Sequence, residues 1–329
     1  MFFSRMRDHG GLDKTLVKEL KSCCAQEGNF LPSKSGLKMM ESSESAVSAK
    51  CRDNRVEELW GLTSFFGYST QTFVRAVNLF DRYLTLTKAQ PKNVPRVSVC
   101  CLHLAAGATE AAKDVAPSQE LIRISHSKFT ASDLRRTESV VSQKLRPESP
   151  AVTAFTFLQL YYSAVSAVCR DEGINIPSIV KLEAHLKACL CRLVFSKAKS
   201  SVLALALVTH EFETLQCAAA SKMLRQLRRL TKVGDSDLRQ WRQLVATRMT
   251  EYHSARCHKP DSRKLVWVLS SRTAQSLNTS HCAAPRLPSI PEDACDHRLS
   301  EEDVSSGEES PCGSLGSAGE GSFFPDYDS

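Results

Sequence analysis

The segment FVRAVNLFDRYL, Phe73 to Leu84, limits what this chain can fold into more than any other stretch. Phe73, Val77, Phe80 and Leu84 recur at three- and four-residue steps, and Ala76, Leu79, Tyr83 and Leu86 widen the stripe well beyond that of a surface helix. A helix apolar around most of its circumference belongs in the middle of a bundle. Thr70 is placed to cap its first turn, its hydroxyl accepting from an otherwise unpaired amide. Two charges, Asp81 and Arg82, interrupt the apolar surface.

Other segments share the helical period. Arg52 to Phe66 carries Val56, Leu59, Trp60, Leu62, Phe65 and Phe66 and ends at Gly67. Ser98 to Ala108 is rich in small residues, and Ala105 and Ala106 permit close helix approach. Leu121 to Ser125 follows, then Thr130 to Leu145, where Thr130 and Asp133 form a variant capping box. The prolines of Arg146 to Pro150 break the pattern. A second series runs through Ala154 to Val165, Val180 to Phe195, Ser200 to Phe212, a basic helix around Leu224 to Leu230, and Ser236 to Tyr252. Its small-residue helix at Val202 to Leu207 lies about one hundred residues after the first, so the halves read as a degenerate repeat. No run alternates in period two for long, and 14 glycines in 329 residues lie below the usual share of about 7%. The expected body is all-α.

In this order the first five segments resemble a cyclin box, with Phe73 to Leu84 as its second helix. LKACLCRLVFSKAKSSVLALAL, Leu186 to Leu207, narrows the likeness to the G-type cyclins, over roughly residues 12 to 292. The resemblance implies two tandem five-helix boxes: residues 51–146, and a degenerate second box at 151–253. Residues 1–50 hold one amphipathic helix (Leu12, Leu16, Leu20, Cys24) and a Ser-rich connection, residues 254–282 a helical extension around Arg263 to Leu277, and 283–329 an acidic tail. The tail is rich in Ser, Pro, Gly and acid and cannot bury enough apolar surface to offset chain entropy, so disorder is expected there.

Charge is uneven. From Ala283 onward two basic residues stand against eleven acidic ones, −9, which leaves +16 on the rest of a chain whose net is +7. Lys222, Arg225, Arg228, Arg229 and Lys232 make a basic face, but no base-stacking aromatics interleave with them, so a solvated face or a surface for an acidic protein is expected over nucleic acid. The apolar runs are too short to span a bilayer and the start lacks a signal-peptide core, so no membrane role is expected and the protein is read as cytoplasmic with nuclear presence. Of the 13 cysteines, the close pairs Cys23 and Cys24, Cys100 and Cys101, and Cys189 and Cys191 lie inside helical segments rather than in paired knuckles. Even the closest ligand cluster, His185 with Cys189 and Cys191, is read as buried thiols, so neither metal nor cofactor is expected. Phosphate-loop, dinucleotide, zinc-protease, nucleophile-elbow and kinase signatures are absent, which favours a binding protein over an enzyme.

In cyclins generally the box grips a protein kinase and moves its mobile helix. A lysine ending the third helix and a glutamate in the fifth make the clasp; Glu138 matches the second, while the first falls near Gly107. The apolar docking cleft begins Met-Arg-Ala-Ile-Leu in cell-cycle cyclins, against Cys51-Arg52-Asp53-Asn54-Arg55 here, with Glu58 near the tryptophan position. Weak or absent activation of a cyclin-dependent kinase follows. Arg52, Asp81 and Glu138 are therefore either kinase-facing or fasteners of the box.

LPSIPE, Leu287 to Glu292, fits Leu-x-x-Ile-x-Glu, which resembles the docking motif for the B-prime regulatory subunits of protein phosphatase two A. In an extended segment Leu287 and Ile290 fill two apolar pockets and Glu292 meets a basic patch, while Pro288 and Pro291 pre-extend the chain. Ser300, Ser305 and Ser306 each precede an acid by three residues, and with Ser289 inside the motif they are candidate phosphosites. The resemblance implies growth regulation, usually restraint of cell-cycle progression, by recruitment of a phosphatase. The alternative is an activating subunit of a cyclin-dependent kinase.

Overall fold

A computed structural model describes residues 7–8, 12–42, 46–145 and 151–254. Among them lie twelve α-helices and one two-residue antiparallel ladder, Arg7–Asp8 with Leu12–Asp13. The first box is α3 (Ala49–Phe65), α4 (Thr70–Leu86), α5 (Val94–Thr109), α6 (Ser118–Ile124) and α7 (Ala131–Leu145). The second is α8 (Ala154–Asp171), α9 (Ile179–Leu190), α10 (Ser200–Glu213), α11 (Ala218–Leu230) and α12 (Asp235–His253). Before them come α1 (Lys14–Gln26) and α2 (Lys34–Glu41).

The third helix of each box is its apolar axis. In α5, Cys100, Cys101, Leu102, Ala105 and Ala106 are inaccessible to solvent, and the small cysteines and alanines let α5 lie along α4. In α10 every residue from Ser201 to Thr209 is buried, with α8 and α12 against it. The expected central helix is α4, whose Phe73, Ala76, Val77 and Phe80 are all fully enclosed.

Three local expectations are corrected. Ser69, not Thr70, caps α4: its hydroxyl accepts from the Thr72 amide, while Glu110 at the end of α5 accepts from the Ser69 amide at 2.8 Å. Thr70 instead donates to Glu183 of α9, at 2.7 Å. The helix expected through Phe195 stops at Leu190 and resumes as a 3-10 turn over Leu193–Lys197. Its final carbonyl and the Leu193 amide are taken by side chains of α3, so tertiary hydrogen bonds replace the helical ladder. Finally, α2 was not expected, and its anchorage is tertiary: Gly36 lies so close to α4 that a Cβ there would collide with the Thr85 carbonyl oxygen. The Thr130–Asp133 capping box forms as expected, with Asp133 N donating to Thr130 Oγ1 (3.1 Å) and Thr130 N to Asp133 Oδ2 (3.0 Å).

The N-terminal segment straps both boxes. Helix α1 rests on α8 and α11, and α2 rests on α4. Between them Glu27 is buried; its carboxylate accepts from the Ser201 amide (2.6 Å) and hydroxyl (3.1 Å), capping α10, whose own preceding residue supplies no side-chain cap.

Candidate functional site

Arg52 is the largest fully enclosed side chain among the described residues. Helix α3 points it at α4, where Nε and Nη2 donate to the two Asp81 oxygens at 2.8 and 2.7 Å, the forked geometry that suits a guanidinium to a carboxylate. Two further bonds cross to the second box: Nη1 to the Leu190 carbonyl (2.7 Å), Nη2 to Ser196 Oγ (3.0 Å). Ser196 in turn donates to Asp81 at 2.6 Å. Burial works against the Arg52 charge, but the neighbouring Asp81 carboxylate outweighs it and raises the guanidinium pKa. Asp53 adds a second crossing, accepting from Arg52 and from the Leu193 amide (2.8 Å); burial lifts its carboxyl above the usual range despite Arg52. Near this node Glu57 of α3 pairs with Arg192 at 2.5 Å. Arg82 reaches the Leu145 carbonyl (3.3 Å) and lies over the Phe30 ring. Thus Arg52 and Asp81 sit inside the molecule, and the turn between α9 and α10 is built around them.

Glu138 stands apart from that node. From α7 it pairs with His103 Nδ1 on α5, and Ser118 Oγ lies 3.5 Å from the other ring nitrogen. The carboxylate is half-buried and engaged, not a solvated free charge. One helical turn beyond His103 is Gly107, where an added Cβ would meet nothing within 4 Å. The α3 surface that is an apolar cleft in cell-cycle cyclins carries an Arg55–Glu58 ion pair at 2.6 Å. Trp60 faces inward, packed on Phe73 and stacked with Tyr252 of α12, each at 6.2 Å between ring centroids.

Residues 19–147 match the cyclin N-terminal domain family. Mouse cyclin-G2 is 44% identical over 326 residues, covering 97% of this chain and 94% of that protein. Human cyclin-G2 is 44% identical over 307 residues (91% and 89%), and pig cyclin-G1 41% over 280 (84% and 95%). The chain belongs to the G-type cyclins. A viral cyclin from herpesvirus saimiri shares the fold at 18% identity, with a TM-score of 0.54 over 71% of this chain and 99% of that one. The alignment with pig cyclin-G1 takes in nearly all of that relative yet leaves part of this G-type cyclin uncovered, so this chain is the longer of the two.

The remaining candidate residues of this G-type cyclin fall into two groups. Leu287, Ser289, Ile290, Glu292, Ser300, Ser305 and Ser306, with the helix expected over Arg263 to Leu277, lie outside the described residues. His185, Cys189 and Cys191 are buried but do not converge: no group of three His, Cys, Asp or Glu side chains among the described residues is placed to hold a metal ion. Burial pushes the Cys191 thiol up to about 12 and Cys24 to about 11, the reverse of what a nucleophile needs.

His185 turns instead to Glu211 of α10, its Nδ1 2.8 Å from the carboxylate, which also meets Lys181 Nζ at 2.7 Å. Burial alone would raise the Glu211 pKa; the close approach of His185 and Lys181 prevails and holds it down at about 2, against the usual 4.5. A folded value below the unfolded one stabilises the fold above pH 4.5, and that contribution disappears as pH falls towards 2. Glu211→Gln is therefore expected to cost up to about 3 kcal/mol at neutral pH. Thermal melts of both proteins at stepped pH should show the gap in Tm narrowing below pH 4.5; a gap constant from pH 7 to the acid limit would contradict the assignment.

Proposed function

We propose that this G-type cyclin is a non-catalytic adaptor that recruits the B-prime regulatory subunit of protein phosphatase two A through Leu287, Ile290 and Glu292, and so restrains cell-cycle progression. The observation that carries the reading is the Leu-x-x-Ile-x-Glu spacing of LPSIPE, with further acids following it. The helical body supplies a scaffold rather than a reaction centre. Phosphate on Ser289, Ser300, Ser305 or Ser306 adds negative charge and strengthens attraction to a basic groove. The protein acts in the cytoplasm with access to the nucleus. Purification of the full chain and of residues 1–282 from cells, followed by mass spectrometry, tests the reading: the phosphatase subunit is expected only with the full chain, and equal recovery with both would reject tail-borne recruitment.

The second reading, activation of a cyclin-dependent kinase, draws on one observation, the place of Glu138 on the fifth helix of the box. Three features oppose it: Glu138 is engaged by His103, Gly107 offers neither charge nor reach, and α3 is charged where cell-cycle cyclins are apolar. Adding the purified protein to monomeric cyclin-dependent kinases is expected to leave histone phosphorylation unchanged; a manyfold rise overturns that expectation and revives the second reading. Gly107→Lys, for which the surroundings leave room, then measures whether the missing lysine limits kinase engagement.

A further inference from the structure

Outside the junction of the boxes the first box carries an open groove of about 550 Å³ between the end of α4, the start of α5 and the exposed flank of α7. Its walls include Tyr83, Lys88, Asn93, Arg96, Arg136 and Val140. Three cations here face one carboxylate, Asp133, whose Oδ2 is already committed to capping α7 through Thr130. Arg96 donates from Nη2 to Asn93 Oδ1 (3.2 Å) and holds Nη1 4.0 Å from Asp133, while its enclosed Nε donates to nothing among the described residues. Neither Lys88 nor Arg136 has a carboxylate within ion-pair distance among those residues, although the field of Asp133 reaches Arg136. The sixteen-residue helix α5 opens onto the same groove with its positive end, and Asn93 caps none of its amides.

Two further features select the ligand class. Along one rim, Thr87 and Gln90 are extended, and the amides of Lys88 and Gln90 donate to no acceptor among the described residues. On the opposite wall Val140, an aliphatic side chain 49% exposed, faces solvent. Unpaired amides on an extended edge suit another extended backbone, clustered guanidinium and ammonium groups suit a dianion, and an exposed valine suits an aliphatic side chain. We propose that this groove binds a phosphorylated serine or threonine in an extended segment of a partner protein, with Arg96, Arg136 and Lys88 on the phosphate and an aliphatic neighbour against Val140.

The groove is separate from the His103–Glu138 pair. On α7, Asp133, Arg136 and Val140 lie along one edge of the buried stripe Leu134, Thr137 and Val141, and Glu138 lies along the other. A protein resting on the Glu138 edge leaves the phosphate site open. In an adaptor that carries a phosphatase, such a site holds the phosphoprotein to be processed.

The test is fluorescence anisotropy on the purified full chain, using a labelled peptide pool with one fixed phosphoserine and degenerate flanks. Two counterparts carry serine or glutamate at the fixed position. The phosphorylated pool is expected to bind at least about tenfold more tightly than the serine pool. Arg136→Glu and Lys88→Glu, both exposed and outside the core, should each weaken binding by about tenfold, while Arg229→Glu on the basic face of α11 should change nothing. Equal binding of all three pools, or equal loss from Arg229→Glu, reduces the site to diffuse charge and overturns the proposal. A glutamate pool matching the phosphorylated one overturns the assignment of phosphate, and displacement by ATP as effective as by phosphopeptide overturns that of a peptide. No phosphatase is present in this assay, so a negative result leaves the tail-docking reading standing.

Discussion

Replacing Arg52 with methionine is expected to destabilise the protein by about 3–5 kcal/mol, read as a shift of the urea midpoint with unchanged slope. The cost comes less from the contacts removed than from the groups left behind. Asp81 would keep Ser196 as a donor but lose both guanidinium bonds in a position only 3% exposed, and the Leu190 carbonyl would lose its partner outside the helical ladder. An uncompensated charge in that setting far outweighs the methylenes that methionine preserves. Asp81→Leu alone should do comparable harm by stranding the guanidinium. The double variant removes both charges at once, so its cost should fall well short of the sum of the two singles. Strict additivity would show that Arg52 and Asp81 do not act as a unit. A small loss from Arg52→Met alone would show that water or another cation reaches Asp81.

The second large effect lies in the tail. Full burial of one aliphatic side chain is worth roughly 1.5–3 kcal/mol, so Leu287→Ala with Ile290→Ala removes about 3–6 kcal/mol if both pockets fill. Each 1.4 kcal/mol is a factor of about ten, so the Kd for the B-prime subunit should rise by two to four orders of magnitude. For a complex of about 8 kcal/mol, micromolar in strength, that is effectively complete loss. Glu292→Gln should act more weakly and more strongly at low salt, as a screened charge contact does. Calorimetric titration of the purified subunit into the full chain gives all three values. An unchanged Kd for the double alanine variant would show that the main contact lies elsewhere on the protein.

The helical periodicity of the chain located all ten helices of the two boxes, because each has an apolar face wide enough to mark the sequence, and Thr130 and Asp133 announced their cap by type and spacing. The misses share one cause. The end of α9 at Leu190 is set by Arg52, 138 residues away in sequence, and no local pattern records that demand. Helix α2 has only Leu37 and Met40 buried and is held by a close approach to α4 that only the folded chain reveals. The placement of Ser69 over Thr70 at the start of α4 depends on Glu110 from another helix. Among site residues, Asp81 was conspicuous as a charge inside an apolar stripe, and Arg52 as the arginine kept where the rest of the Met-Arg-Ala-Ile-Leu pattern is lost. Ser196 and Asp53 gave no such signal, since a serine in a connection and an acid on a polar helix face are what a surface would show. His103 was equally silent until α7 brought Glu138 to it.

The strap formed by α1 has a consequence for how the protein is made. Leu20 and Cys23 are buried on α8 and α11, and α11 ends at Leu230. A ribosome adding about 5–20 residues per second needs on the order of 10–40 s to travel from α1 to the end of α11. For that interval α1 lacks its full docking surface, although the first box is complete once Leu145 has been made. Nascent chains should therefore present Leu20 and Cys23 to chaperones until the second box emerges, and variants that slow translation beyond Leu145 should raise the share of protein lost before it folds.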